Sequence, residues 1–325
     1  MEKFQAIITR AQNLLDLNKE WERRYENYAT GILNNIEKIK KNKKRFYEAS
    51  PLYLYMNVGQ AKCKASIFSL RYLGQNVAVL RISDDKISLD STRFIETNKR
   101  DFSCEISVNA KNGNWDGGFA REFRKHFKKM PIRSKKSRNH NEEHRIESML
   151  LTELSKKQGQ QKHRLLHNIQ PVKIAKIARF QMPTPFRASG GKIEYANKNG
   201  GGIDILARIS RTKLCIMELK DEYSRKEPPE SVIRQGLTYA TFIRELLRSQ
   251  CGGKWWKIFG FTGSIPKKLI LCVACVMPLH NNIELASEGF RGKRLKIDSD
   301  ILELHYIYFT EERKIRDIRT SLRRK

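Results

Sequence analysis

Apolar residues recur at helical spacing from Phe4 to Lys40, where Ile7, Leu14, Trp21, Tyr25, Tyr28, Ile32, Ile36 and Ile39 mark one side of a long or broken amphipathic helix. That helix runs into the basic cluster Lys38 to Arg45. From Leu52 to Val108 the period shortens: Leu52–Val58, Ala65–Arg71, Val77–Ile82, Phe94–Ile95 and Phe102–Val108 read as strands of a small antiparallel sheet or half-barrel, with the helix against it. The turn-rich stretch Asn112 to Gly118 carries Trp115, which either inserts at a base or packs onto its own domain. Arg121 to Arg145, with its Arg-Ser-Lys-Lys-Ser-Arg run and few apolar residues, reads as a linker.

Beyond it the texture changes. Glu142 to Lys156 reads as a helix on which Glu147 shares a face with Leu150, Leu151 and Leu154, so a carboxylate lies within an apolar stripe. Ile203–Ile209 and Lys213–Leu219 are short β-branched runs separated by Ser210-Arg211-Thr212 and read as an antiparallel hairpin. Ser231 to Arg248 is a helix with Pro at its start and no internal breaker. Leu269–Met277 and Leu302–Phe309 follow as strands, and Lys314 to Lys325 as a basic tail. Trp255 and Trp256 are expected to cap the core near the Gln235 helix. The change predicts an α/β (α+β) chain of two domains, an N-terminal helix and β-rich domain over 1–130 and a second domain over 131–325.

The hairpin carries the candidate chemistry. If Ser210 to Thr212 are the loop, Ile209 faces Lys213, and counting back puts Asp204 opposite Glu218, where cross-strand Cβ atoms lie about 4.5–5.5 Å apart. Two carboxylates at that spacing can share one divalent cation. Period two places Lys220 on the same face as Glu218. A loop one residue shorter or longer would put the two acids on opposite faces. On the following helix Gln235 and Tyr239 sit four apart on one face.

An Asp, a hairpin turn and Glu-x-Lys resemble the PD-(D/E)XK nuclease superfamily, with Asp204, Glu218 and Lys220 on its catalytic positions and Ile203 where the family's name has Pro. Gln235 and Tyr239 are similar to the Q-x-x-x-Y motif that follows E-x-K in one branch, where it lies beside the active site. The resemblance covers roughly residues 141–279 and implies a restriction-endonuclease-like mixed β-sheet core flanked by helices. It also implies a further acid from the helix before the hairpin, for which Glu147 is the candidate and Glu143, one turn earlier, the reserve. Asp204 and Glu218 would then be ligands to Mg²⁺ (or Mn²⁺), a hard cation held by few carboxylates plus a substrate phosphate. Lys220 would position or deprotonate the attacking water and offset phosphate charge.

Composition points to the partner. With 64 Lys and Arg against 35 Asp and Glu the formal net charge is +29, the footprint of a polyanion binder. Nucleic acid, in the first place duplex DNA, is the expected partner, and Lys135, Lys136, Arg138 and Tyr239 are candidate contacts. The basic residues are spread along the chain, no apolar run is long enough to span a bilayer, and Met1 opens a polar amphipathic helix, so a cytoplasmic protein without membrane association is expected. The six cysteines show no regular disulfide spacing. Cys272-Val273-Ala274-Cys275 lies inside a strand whose alternation sends the sulfurs to opposite faces, and no second C-x-x-C completes a zinc site. The histidines are scattered. The resemblance implies a Mg²⁺-dependent DNA endonuclease in restriction, phage defence or repair. The alternatives are a structure-selective or RNA-directed nuclease and a non-catalytic nucleic-acid binder on a degenerate nuclease fold. The N-terminal domain would supply grip or target choice, or else oligomerisation, a homodimer included.

Overall fold

The computed structural model describes residues 2–47, 49–56, 58, 66–83, 86–106, 113–130, 142–156, 160, 166, 168–188, 191–198, 200–220, 229–278, 293–311, 315–320 and 322. In chain order these form α1 (Glu2–Leu17), α2 (Glu20–Lys41), α3 (Lys43–Tyr47), β1 (Tyr53–Met56), β2 (Ser66–Tyr72), β3 (Gln75–Ser83), β4 (Lys86–Asp90), a 3-10 turn at Thr92–Phe94, α4 (Ile95–Phe102), β5 (Gly113–Asn114) and α5 (Gly118–Lys129). Then come α6 (Glu142–Leu154), the short strands β6 (Gln170–Pro171), β7 (Lys173–Ile174), β8 (Ala178–Arg179), β9 (Phe186–Arg187) and β10 (Glu194–Tyr195), and the hairpin β11 (Ile205–Arg208) and β12 (Lys213–Leu219). The chain closes with α7 (Pro229–Arg248), α8 (Gly252–Ile258), β13 (Ile270–Pro278), β14 (Arg294–Ile297), β15 (Asp300–Glu311) and β16 (Ile315–Thr320). The class is mixed α/β, and none of these helices is long and apolar enough to cross a membrane.

Two compact units interleave along the chain. One comprises Met1–Ala29, Ile146–Val172 and Gln181–Lys325, the other Thr30–Arg145 and Lys173–Phe180. A single boundary at residue 130 therefore does not describe the contacts: the first 29 residues belong with the C-terminal part, and a short insert at 173–180 belongs with the β-rich part.

The β-rich unit holds the sheet β5-β4-β3-β2-β1-β8-β7. Alternation from Ala78 onward in β3 and along β4 buries Leu80, Ile82, Ile87 and Leu89 on one face. Two expectations fail here, and of the two readings of Trp115 the packed one holds. Phe94–Ile95 and Phe102 are not strand residues but flank and end α4, whose Asn98 and Phe102 are buried one turn apart, Asn98 donating to Val77 O at 2.8 Å. The linker expected over 121–145 begins instead with α5, because its sparse apolar residues Ala120, Phe123 and Phe127 are spaced for one helical face. Trp115 is 1 % exposed and cannot reach a base, since Arg124 lies 4.3 Å over its ring and donates to its carbonyl at 2.6 Å. Residues 131–141, including Lys135, Lys136 and Arg138, lie outside the described residues.

The other unit is built on the sheet β6-β11-β12-β13-β15-β14, with β16 pairing the far end of β15. Its centre, β12-β13-β15, is parallel, and its strands are buried almost end to end, as a sheet covered on both faces requires. Within the basic tail, Ile315–Thr320 forms β16. Helix α7 packs against β12 and β13, and α1 against α7. Aromatic side chains fill the junction of the helices: Tyr25 sits 4.7 Å from Phe242 and 6.1 Å from Trp255, ring centre to ring centre. The long N-terminal helix is broken at Asn18–Lys19, between α1 and α2.

Candidate active site

The hairpin β11–β12 pairs Ile205 with Met217, Leu206 with Ile216, Ala207 with Cys215 and Arg208 with Leu214. The Ile209 N–H donates to Lys213 O at 3.0 Å, so Ser210 to Thr212 form the loop. Ser210 Oγ accepts from the N–H groups of Thr212 and Lys213, at 3.2 and 3.1 Å, which closes the turn without a glycine. The paired register ends at Ile205–Met217, and Asp204 and Glu218 are the next residues on the two strands. Asp204 Oδ2 accepts the Leu219 backbone N–H at 2.9 Å, which fixes the carboxylate at the strand end. Glu218 is fully buried (0 % exposed) and Lys220 is 8 % exposed. The Lys220 N–H continues the parallel ladder to Val276 O at 2.9 Å, so strand alternation carries one residue past β12 and sets Lys220 on the side of Glu218.

Helix α7 closes over these residues through a glycine. A methyl carbon at Gly236 would lie 2.9 Å from Val273 Cγ1 and 3.6 Å from Glu218 Cγ, so the absent side chain lets the helix backbone approach the sheet beside Glu218. Gln235 precedes this contact and Tyr239 lies one turn beyond Gln235, and Gln235 and Thr184 act on the Tyr239 hydroxyl to lower its pKa. Burial raises the phenol's pKa, and the charges of Glu218 and then Asp204 raise it further, so the hydroxyl keeps its proton. Burial likewise pushes the Cys275 thiol up, with Glu218 as the second cause, which makes Cys275 an inert wall of the site.

The structure thus sets Asp204 and Glu218 at the end of the hairpin with α7, which carries Gln235 and Tyr239, against Glu218 at Gly236, and Lys220 on the adjoining strand end. Glu147 is 2 % exposed on α6, within the stripe of Ile146, Leu150, Leu151 and Leu154. Glu143, the reserve, falls in the β-rich unit.

Sequence reasoning missed Thr184, Gly201 and Gly236. The run Gly200 to Gly202 is closely packed: Thr184 N–H donates to Gly201 O at 2.8 Å and Gly201 N–H to Phe186 O at 2.6 Å. A methyl at Gly200 would fall 1.9 Å from Thr184 O. The glycines are the signal that was available, since three in succession before an Asp mark a backbone that something approaches closely.

Compared with protein-family models, curated proteins and solved structures, the chain finds no match.

Proposed function

We propose that the chain is a metal-dependent nuclease of the PD-(D/E)XK type, with a restriction-endonuclease-like core, acting on duplex DNA. The observation that supports this reading most is that Asp204, just beyond the last hairpin pair Ile205–Met217, accepts the Leu219 N–H beside the buried Glu218, with the charges of both acids acting on the Tyr239 hydroxyl. The donors suit a hard divalent cation: two carboxylates, one of them wholly desolvated, concentrate negative charge where burial alone would oppose it. Asp204 and Glu218 would hold Mg²⁺ or Mn²⁺, which when bound polarises a phosphate oxygen and lowers the pKa of water.

The chain's own residues then have separable tasks. The Leu219 N–H orients Asp204. Lys220, on a short stretch of backbone anchored to β13, offers an ammonium to the scissile phosphate or a proton relay to the attacking water at Nζ. The Gln235 and Tyr239 pair positions the acids from α7, and Glu147 is the proposed further acid. The high positive charge supplies affinity for the polyanion, and the cellular setting in keeping with such an enzyme is restriction, defence or repair.

The test is a cleavage panel with Mg²⁺ or Mn²⁺ on plasmid, linear and modified duplexes, single strands and RNA, run beside Asp204→Ala and Lys220→Ala. Cleavage lost in both variants and in EDTA supports the reading. Cleavage that persists in EDTA overturns it, and salt-sensitive binding with no cleavage under any condition leaves a nucleic-acid binder on a degenerate nuclease fold.

A further inference from the structure

On the parallel pair β13–β15, Cys272 and Glu303 are direct register partners, and His305 follows Glu303 by two residues on the same face. Glu303 Oε2 is the meeting point: Cys272 Sγ lies 3.9 Å from it and His305 Nε2 3.8 Å. One ligand atom from each of the three residues lies within 4.8 Å of the others. This face is not that of the Asp204–Glu218 pair. Gly236 of α7 touches Val273 and Glu218, so alternation along β13 turns Val273 and Cys275 toward α7 and Cys272 away from it.

We propose that Cys272, Glu303 and His305 form a zinc site that ties β13 to β15, with a fourth position for water. Thiolate, imidazole and carboxylate are the donors zinc takes, and a thiolate selects against Mg²⁺, so this site is distinct in chemistry from the carboxylate pair. Tetrahedral zinc with bonds of about 2.0–2.3 Å holds its donors about 3.3–3.5 Å apart. The present separations from Oε2 exceed that by about half an ångström, a contraction within reach of small side-chain rotations.

The surroundings already call for a cation at Oε2. Lys213 Nζ stands 3.4 Å from that oxygen, while Arg294, the register partner of Glu303 on β14, holds the other oxygen at 2.8 Å. Arg294 therefore plays the part of an outer partner that orients a ligating carboxylate. The Lys213 side chain is about one-third exposed and can swing to solvent when a metal takes its place. The Cys272 thiol, pushed up to about 12 by burial and next by Glu303, is protonated at neutral pH. On binding, the Sγ–H bond breaks, the Sγ–metal bond forms and the proton passes to water, while His305 enters as neutral imidazole.

Metal-free full-length protein titrated with Co²⁺ and then Zn²⁺ tests this without reference to nuclease activity. We expect thiolate-to-cobalt charge-transfer absorption that saturates with one equivalent and is abolished by Zn²⁺. It should survive Cys275→Ser and vanish in Cys272→Ser. His305→Gln should weaken binding by at least about tenfold. Lys213→Met should tighten it, because the competing ammonium is gone, whereas a purely structural ion network predicts no metal affinity in either protein. No thiolate band in the unaltered chain, or a band unchanged in Cys272→Ser, overturns the site. Should Cys272→Ser not fold, equal metal affinity in the parent, His305→Gln and Lys213→Met overturns it equally.

Discussion

Gly201 packs against the hydroxyl of Tyr239 so closely that a methyl carbon at position 201 would lie 2.0 Å from the Tyr239 oxygen. The backbone at Gly201 is held on both sides by hydrogen bonds to the 184–186 segment and cannot retreat. Gly201→Ala should therefore move Tyr239 and destabilise the fold by about 1–3 kcal/mol, the usual cost of overpacking. Tyr239→Phe removes the oxygen that the methyl meets, so the double variant should lose less than the sum of the singles. Urea unfolding of the four proteins measures the coupling, and strict additivity would show that the two positions do not compete for space.

Asp204 separates structure from chemistry. Its Oδ2 satisfies the Leu219 N–H, a task that Asn can take over and Ala cannot. Asp204→Asn should keep stability within about 1 kcal/mol, and Asp204→Ala should cost about 1–3 kcal/mol by leaving the amide without its acceptor. Both should reduce Mg²⁺-dependent cleavage by about 10²-fold or more if the carboxylate holds the cation. Thermal unfolding beside single-turnover cleavage distinguishes the two losses.

Asp300 anchors the far end of α7. It is 1 % exposed and accepts from Arg244 Nε at 2.8 Å, from two nitrogens of Arg248 at 2.5 and 2.9 Å, and from the Leu269 N–H at 2.8 Å. Removing it leaves two guanidinium groups without their buried partner, so Asp300→Ala should cost about 3–5 kcal/mol in denaturant unfolding. Burial works to raise its pKa, but the hydrogen bonds from Arg248, Leu269 N–H and Arg244 prevail and hold it below the usual aspartate range. The carboxylate's stabilising contribution is thus complete above the unfolded-state pKa and is lost as pH falls through the lower folded-state value. The stability gap between parent and variant should close in that acid range.

Lys173 titrates the other way. Burial, and next the Arg179 charge on the paired strand, lower its pKa to about 8 from an ordinary value of 10.5. Between those values the folded chain binds fewer protons at this site than the unfolded chain, so stability gains from rising pH there, and the cost of holding the ammonium is complete below about 8. Lys173→Met should raise the Tm at pH 7, with the advantage shrinking as pH climbs toward 10.5. A Tm difference that is flat across this range would show that Lys173 reaches water in the folded state.

The hairpin register from Arg208–Leu214 to Ile205–Met217 could be derived from sequence because every step was local. The polar loop Ser210 to Thr212 sets which residues pair, and a side-chain period of two then carries that pairing to the strand ends. Gln235 and Tyr239 were legible for the same reason, since helical spacing alone places them one turn apart. Local pattern also misled where apolar residues were few. In α5 the charged face outnumbers the apolar one, and Phe123 and Phe127 are core only because the β-rich unit supplies something to bury them against. The tertiary structure decided the rest. Which backbone the triple glycine must admit, that residues 173–180 leave one unit for the other, and that β15 lies beside β13 with Glu303 against Cys272 are facts about chain segments tens of residues apart. Periodicity fixes which face of a strand a residue occupies, Glu303 and His305 included, but strand order comes from the packing of the whole sheet, and so their meeting with Cys272 has no trace in local pattern.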